Sequence, residues 1–195
     1  MSHIQTDILP LFKGQGTFIE IGCWDGQHIS QTADLEKLGW SGVCVDPFAK
    51  NFEQRKCTLV QKAVSKDGLQ REFVKVSIDR RYGGDVSYFS GFKDNIAVHW
   101  PLISEHCDYE IINIDTVKFS DLPINQHTNF LSVDVEGSEL EIFESIDFDK
   151  YSFDVVMFEH NGVDNGVGEL LQSKGYKLYK SLVIDDIYVN EKFKA

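Results

Sequence analysis

The sequence predicts an α/β fold, an open and mostly parallel β-sheet covered by helices on both faces. Three observations carry this. Residues 18–26, FIEIGCWDG, read as a buried strand that turns through two glycines into a polar, helix-compatible segment. Strands and helices then alternate through residues 27–64, and alternation of this kind is most economically met by a parallel sheet with helices on its faces. Two further apolar runs, 130–135 and 154–160, end in acids, as strands do when they deliver polar side chains to one sheet edge.

Taken in order, residues 1–16 carry a short apolar patch, ILPLF, and a KGQG turn into the first strand, which predicts an N-terminal helix or cover. Ile29, Ala33, Leu35 and Leu38 recur at near-helical spacing, and Gly39 closes that segment, so a helix over 27–38 is expected. The strand 42–46 follows, ended by Asp46 and Pro47, then a short helix over 51–56 and a third strand over 58–64. Residues 66–112 leave the alternation. Their 72–78 run alternates with period two, as a half-exposed antiparallel strand would, and 80–92 are rich in glycine and aromatics. This region is predicted to be an insertion or lid. A short strand over 110–114, the strand 130–135, a helix over 139–146, the strand 154–160, a helix over 167–173 and a closing hairpin within 176–190 complete the chain.

At 195 residues the chain suits one domain, 1–195. Its 42% hydrophobic and 26% charged residues are ordinary for a globular protein, and no apolar run approaches the ~20 residues of a membrane span. A net charge of -12 repels phosphate backbones, so nucleic acid is not an expected partner. The N-terminus lacks a basic segment followed by an apolar one, and the four cysteines, Cys23, Cys44, Cys57 and Cys107, form no CxxC pair. Reduced thiols and a cytoplasmic protein are expected, with no membrane partner.

The loop after the first strand is the first candidate site. A dinucleotide fold would place a glycine at position 24, where the pyrophosphate meets the backbone, and another at 27. Trp24 and Gln27 stand there instead, which speaks against NAD or FAD and so against an oxidoreductase or epimerase on this fold. What remains, Glu20-x-Gly22-x-x-x-Gly26, is the glycine pattern that accompanies S-adenosylmethionine (SAM), with Trp24 and Asp25 inside the loop. Asp46 ends the next strand, the position of a carboxylate that binds ribose hydroxyls. Asp134 and Glu136 follow the strand 130–135 or end it; they could orient a hydroxyl, take its proton or bind a cation, while Glu136 and Ser138 could instead cap the next helix. Glu159 and His160 end the neighbouring strand on the same edge. Arg80 and Arg81 read as a solvated turn. His3, His28, His99, His106 and His127 show no metal-ligand spacing and are assigned no role.

Along residues 18–189 the sequence resembles the FkbM-like methyltransferases, class I SAM-dependent enzymes. The resemblance lies in FIEIG at 18–22 with Asp25 and Gly26, VDP at 45–47, KAV at 62–64 and IDTV at 114–117. FLSVDVEGSEL at 130–140 is its most specific block, and FEH at 158–160, Gly175-Tyr176 and DIYV at 186–189 match the closing elements. The resemblance implies a Rossmann-like sheet of seven strands whose last strand is antiparallel, SAM over the carboxyl ends of the first strands, and methylation of a hydroxyl on a small molecule or carbohydrate. On that basis Glu20, Gly22, Trp24, Asp25, Gly26, Asp46 and Ala63 are expected to bind the cofactor, Ala63 near the adenine. Asp134, Glu136, Glu159 and His160 are expected to line the reaction face. No set of metal ligands is expected; a divalent metal held by Asp134 and Glu159 is compatible with the sequence but not required by it. The alternatives are a metal-assisted sugar O-methyltransferase and a non-catalytic SAM-binding protein. The oligomeric state and the acceptor are left open.

Overall fold

A computed structural model describes residues 4–194. The chain enters through a π-helical turn, Ile4–Ile8, and a 3₁₀ turn, Leu9–Leu11. Strand β1, Thr17–Ile21, leads through a long irregular loop to helix α1, Ala33–Lys37, and strand β2, Ser41–Val45. Strands β3, Thr58–Val60, and β4, Ala63–Val64, follow, then β5, Arg71–Asp79, and β6, Gly91–Phe92. Helix α2, Trp100–His106, runs directly into β7, Cys107–Ile114, and β8, Thr116–Val117. The last third holds β9, His127–Val133; α3, Glu139–Ser145; β10, Ser152–Glu159; α4, Val167–Ser173; β11, Tyr176–Ser181; and β12, Asp185–Asn190.

Seven of these strands form one sheet in the order β11-β12-β10-β9-β1-β2-β3. The run from β3 to β10 is parallel, and β12 enters antiparallel between β10 and β11. Residues of β1, β9 and β10 alternate between two cores with the period of a strand. Ile19, Ile21, Leu131, Val133, Val156 and Phe158 face the layer of α3 and α4. Phe18, Phe130, Val155 and Met157 face the other layer, where Ile4, Ile8 and Leu35 cover them. The N-terminal apolar patch is therefore a cover, as its composition suggests.

The sheet is central because its order reverses at β1. From β1 the chain proceeds outward to β2 and β3, then returns to the other side with β9, so loops at the carboxyl ends of β1 and β9 diverge and leave a crevice. The backbones are tightly joined there. Asp134 N donates to Ile21 O at 2.9 Å, and Gly22 N donates to Val45 O at 2.8 Å. Gly22 turns with φ +88°, and a Cβ on it would lie 1.6 Å from the Asp134 carbonyl oxygen. Only glycine fits both the conformation and the space.

Several elements differ from the sequence expectation. The short helix over 51–56 is a single 3₁₀ turn, Phe52–Gln54, and α2 lies where no helix is expected. The helix expected over 27–38 exists only as α1. Asp25 accepts the N–H groups of Gln27 and His28, and Glu20 accepts that of Gln31, so carboxylates capture the donors that a helix would need at its start. Ile29 and Leu38 are accordingly left exposed. The strand expected over 58–64 breaks in two. β3 stays in the main sheet, while β4 pairs in parallel with β8 as a separate ladder.

The 66–112 departure forms a small antiparallel sheet, β6-β5-β7, closed by α2. It is fastened to the turn between β9 and α3 and to the start of α3. Arg71 Nη1 donates to both oxygens of Glu141, at 2.7 and 2.9 Å, and Asn95 Nδ2 donates to Ser138 Oγ at 2.9 Å. At that contact Gly137 has φ +111°, and a Cβ there would lie 2.3 Å from Asn95 O. None of the helices among the described residues is long and apolar enough to cross a membrane.

Candidate functional site

A cavity of about 440 Å³ opens above the carboxyl ends of β1, β2 and β9 and under the small sheet. Gly22, Trp24, Asp46, Ala63, Asp134 and Glu136 all contribute to its wall. These six come from four separate stretches of the sequence; the strand order brings them together.

Asp46 stands at the end of β2 with its carboxylate already oriented. Its Oδ2 accepts Trp24 N at 3.0 Å and its Oδ1 accepts Phe48 N at 2.7 Å. Each oxygen keeps a further lone pair. Burial is the largest influence on this group and, against those two hydrogen bonds, pushes its pKa up to about 6. The neighbouring wall is apolar, with Val45, Phe48 and Val64. A carboxylate with spare acceptor capacity beside an apolar wall suits a ligand that has a ribose and an adenine, and the volume is within the usual range for small-ligand sites.

Trp24 holds a left-handed conformation, φ +43°, that is uncommon for a bulky residue. The surroundings fix it there. Its indole Nε1 donates to Ser87 Oγ at 2.8 Å and its ring meets Tyr88 edge to face at 5.4 Å. Lys50 Nζ reaches Ser87 Oγ and Asp85 Oδ2, both at 3.0 Å. The insertion thus roofs the cavity through contacts to the loop below it.

Glu20, Asp25 and Gly26 do not line the cavity; they shape the loop that does. Glu20 is buried under the loop and accepts Ser30 Oγ at 2.8 Å, Gln31 N at 2.5 Å and Thr32 Oγ1 at 2.6 Å. Burial raises its pKa, opposed by these bonds and by Arg55, whose guanidinium lies 4.0 Å away. Arg55 in turn donates to Ser30, Thr32 and Glu36. Asp25 accepts Gln27 N and His28 N, each at 2.9 Å, and pairs with the His28 ring. Gly26 turns with φ +67° against the Phe52 ring.

The opposite edge of the cavity is acidic. Asp134 and Glu136 line it, and Glu136, Glu139, Glu159 and Asp185 lie near enough to raise the proton affinity of Asp134. Asp134 is pushed well up, first by burial and then by Glu159 and Glu136. Glu159 is pushed up by burial and by Glu136 and Glu139, and it shares a hydrogen bond with Asp134. Glu139 Oε1 accepts Val135 N at 3.0 Å and Gly137 N at 3.2 Å, so it, rather than Glu136 or Ser138, ties the turn before α3. Glu136 adopts φ +61° and directs its carboxylate to His99, with Oε2 2.6 Å from the imidazole Nε2.

His99 is the residue that sequence reasoning did not select. It sits just before α2 in the insertion, and its partners are distant in the chain, so no local spacing marks it. His160 stands outside the cavity wall. Its Nδ1 accepts Gly162 N at 2.9 Å and its Nε2 lies 3.7 Å from Asp186 Oδ1. Arg81 pairs with Asp79, and Arg80 bonds the Glu105 carbonyl, so neither faces the cavity.

This strand order, with one antiparallel strand inserted at the end and a cavity at the carboxyl ends of the first strands, is the class I methyltransferase fold. Residues 21–178 match the Methyltransferase FkbM domain, and the chain belongs to that family of methyltransferases. No curated protein and no solved structure matches the chain significantly. SAM is the methyl donor usual for such a family.

Proposed function

We propose that this protein is a SAM-dependent O-methyltransferase that acts on a hydroxyl of a small molecule, a sugar among the candidates. The observation that carries this reading is the two-ended cavity, with the oriented carboxylate of Asp46 at one end and the acidic side chains of Asp134 and Glu136 at the other. In this reading Asp46 accepts the ribose hydroxyls, Ala63 lies near the adenine, and Gly22 and Trp24 form the floor of the donor site. Glu20, Asp25 and Gly26 act through the loop, holding its shape. When bound, SAM supplies a methyl group already activated on a positively charged sulfur.

The protein's own share is then placement and proton removal. A hydroxyl is a weak nucleophile, and its proton must leave as the new bond forms. Asp134 lines the cavity and has a raised proton affinity, which suits a carboxylate that takes up this proton; burial sets that affinity first, and the charges of Glu159 and Glu136 add to it. His160, engaged with Asp186, supports the edge of the sheet in this reading. The acidic edge also favours a positively charged donor. The free cysteines fit a cytoplasmic setting.

The test is release of S-adenosylhomocysteine on incubation with SAM and a panel of sugars and small alcohols. Asp134→Asn is expected to lower turnover at least ~100-fold, the usual share of a positioned general base, while affinity for S-adenosylhomocysteine is retained. Full activity of that variant would remove Asp134 from the mechanism. Donor binding with no product from any hydroxyl would favour a non-catalytic SAM-binding protein.

A further inference from the structure

We propose that His99, Glu136 and Glu159 form a binding site for one divalent transition-metal cation at the acidic edge of the cavity. One ligand atom from each of the three lies within 4.8 Å of the other two. They come from three separate parts of the fold: His99 from the insertion before α2, Glu136 from the turn after β9, and Glu159 from the end of β10. A cation with bonds of roughly 2.0–2.2 Å separates neighbouring ligand atoms by about 3 Å or slightly more, so small side-chain rotations suffice to close this set.

The second observation is independent of the clustering. Glu136 Oε2 and His99 Nε2 are both sealed from solvent and have no hydrogen-bond partner. They face each other at 2.6 Å, an ion pair when the imidazole is protonated, but their angles do not make a hydrogen bond. Glu136 is only 8% exposed, so water does not compensate for the missing bond. A cation between these two atoms would give both a partner and would offset the charge gathered there by Glu136 and Glu159.

The neighbours brace such a set. Asn161 Nδ2 donates to Glu159 Oε2 at 2.7 Å, and the Phe89 ring packs on the His99 ring at 4.9 Å between centroids. Contacts of this kind orient ligands around a metal. One imidazole nitrogen with two carboxylates suits Mn²⁺, Fe²⁺ or Zn²⁺ better than Mg²⁺ or Ca²⁺, which prefer oxygen alone. Glu136 also lines the cavity, so positions not filled by the protein would open toward the acceptor. There a cation could hold two oxygens of a diol and lower the pKa of one of them. That last role rests on the O-methyltransferase reading; binding of the cation does not.

The experiment uses the whole protein, stripped with a chelator and titrated with Mn²⁺ alone, following the loss of the free Mn²⁺ signal by electron paramagnetic resonance. One equivalent is expected to bind, with nitrogen modulation from a directly bound imidazole. His99→Gln and Glu159→Gln should each weaken binding by at least ~10-fold, the least expected when a ligand is removed. No binding, binding without imidazole modulation, or binding unchanged in both variants would overturn the site. The imidazole signal is read in the unsubstituted protein and so does not depend on the variants folding. A parallel titration of the metal-free protein with S-adenosylhomocysteine separates the two readings. Donor binding without Mn²⁺ binding sinks the metal site alone, and Mn²⁺ binding without donor binding sinks the methyltransferase assignment of the cavity.

Discussion

Lowering the pH from 7 to 5 should weaken binding of S-adenosylhomocysteine roughly tenfold, and Asp46 is the reason. Burial pushes this carboxyl from its ordinary 3.8 up to about 6. Its two oxygens already accept Trp24 N and Phe48 N, so in the proposed donor site ribose hydroxyls would need the remaining lone pairs, and protonation removes part of that capacity. With a midpoint near 6, the ionised fraction falls from about nine-tenths at pH 7 to about one-tenth at pH 5, which is worth about 1.4 kcal/mol of affinity. S-adenosylhomocysteine is the right probe because its sulfur is uncharged, so the acids at the far edge of the cavity weigh less.

The stability of the free protein should move the opposite way over the same window. Asp46 has a folded-state pKa above its unfolded value, so the folded protein holds the proton more tightly. Its ionisation therefore opposes folding by up to about 3 kcal/mol at pH above 6, and this cost fades as pH falls through 6 toward 4. The buried acids Glu20, Glu139 and Asp134 are raised as well and add to the same trend, so the share of Asp46 is read as the difference from Asp46→Asn. Calorimetric titration from pH 7 to 5, paired with urea unfolding, checks both. Acid loosening of the fold would lower affinity and stability together, whereas the Asp46 mechanism separates their signs. An affinity constant within twofold over this range, or an Asp46→Asn variant that keeps the slope, would refute it.

Three substitutions probe the loop beneath the cavity. Glu20→Ala leaves three donors without their acceptor and buried Arg55 with Glu36 as its remaining carboxylate, and should cost at least ~3 kcal/mol in urea unfolding, as loss of one partner in a buried pair does; a cost under ~1 kcal/mol would mean that the Ser30–Thr32 turn holds itself. Gly22→Ala meets the Asp134 carbonyl oxygen with a Cβ 1.6 Å away and should cost more than ~4 kcal/mol or prevent folding, seen as loss of soluble, cooperatively unfolding protein. Trp24→Phe removes the bond to Ser87, about 1 kcal/mol, and should speed amide exchange in residues 86–90 by up to ~5-fold without changing exchange in β9; unchanged exchange would mean that Lys50 alone holds the roof.

The central sheet was readable from the sequence because its signal is local. Runs such as 18–21 and 130–133 are apolar enough to be buried on both faces, and each ends at a glycine or an acid, so strand identity and the polar edge follow from a few neighbouring residues. The helix expected over 27–38 shows the limit. Ile29, Ala33, Leu35 and Leu38 have the right spacing, but two carboxylates, Glu20 and Asp25, compete for the backbone donors of 27–31, and helical periodicity does not report that competition. The broken third strand has a similar cause, since β4 finds its partner in β8, more than fifty residues later, and no local pattern announces a long-range ladder.

The cavity divides along the same line. The end proposed for the donor is written into strand ends that the eye can follow, Gly22 after β1 and Asp46 after β2. Its acidic side depends on where the insertion lands. Asn95 and Arg71 fasten the small sheet to Ser138 and Glu141, and only that docking sets His99 against Glu136. The same docking places Ser87 and Tyr88 over Trp24. A segment that looks like an interruption of the α/β order therefore supplies the roof over one end of the cavity and an imidazole at the other. Changes in 80–99 should alter both ends of the cavity while leaving the main sheet intact, because their contacts with the main body are made at loop tips and not within its two cores.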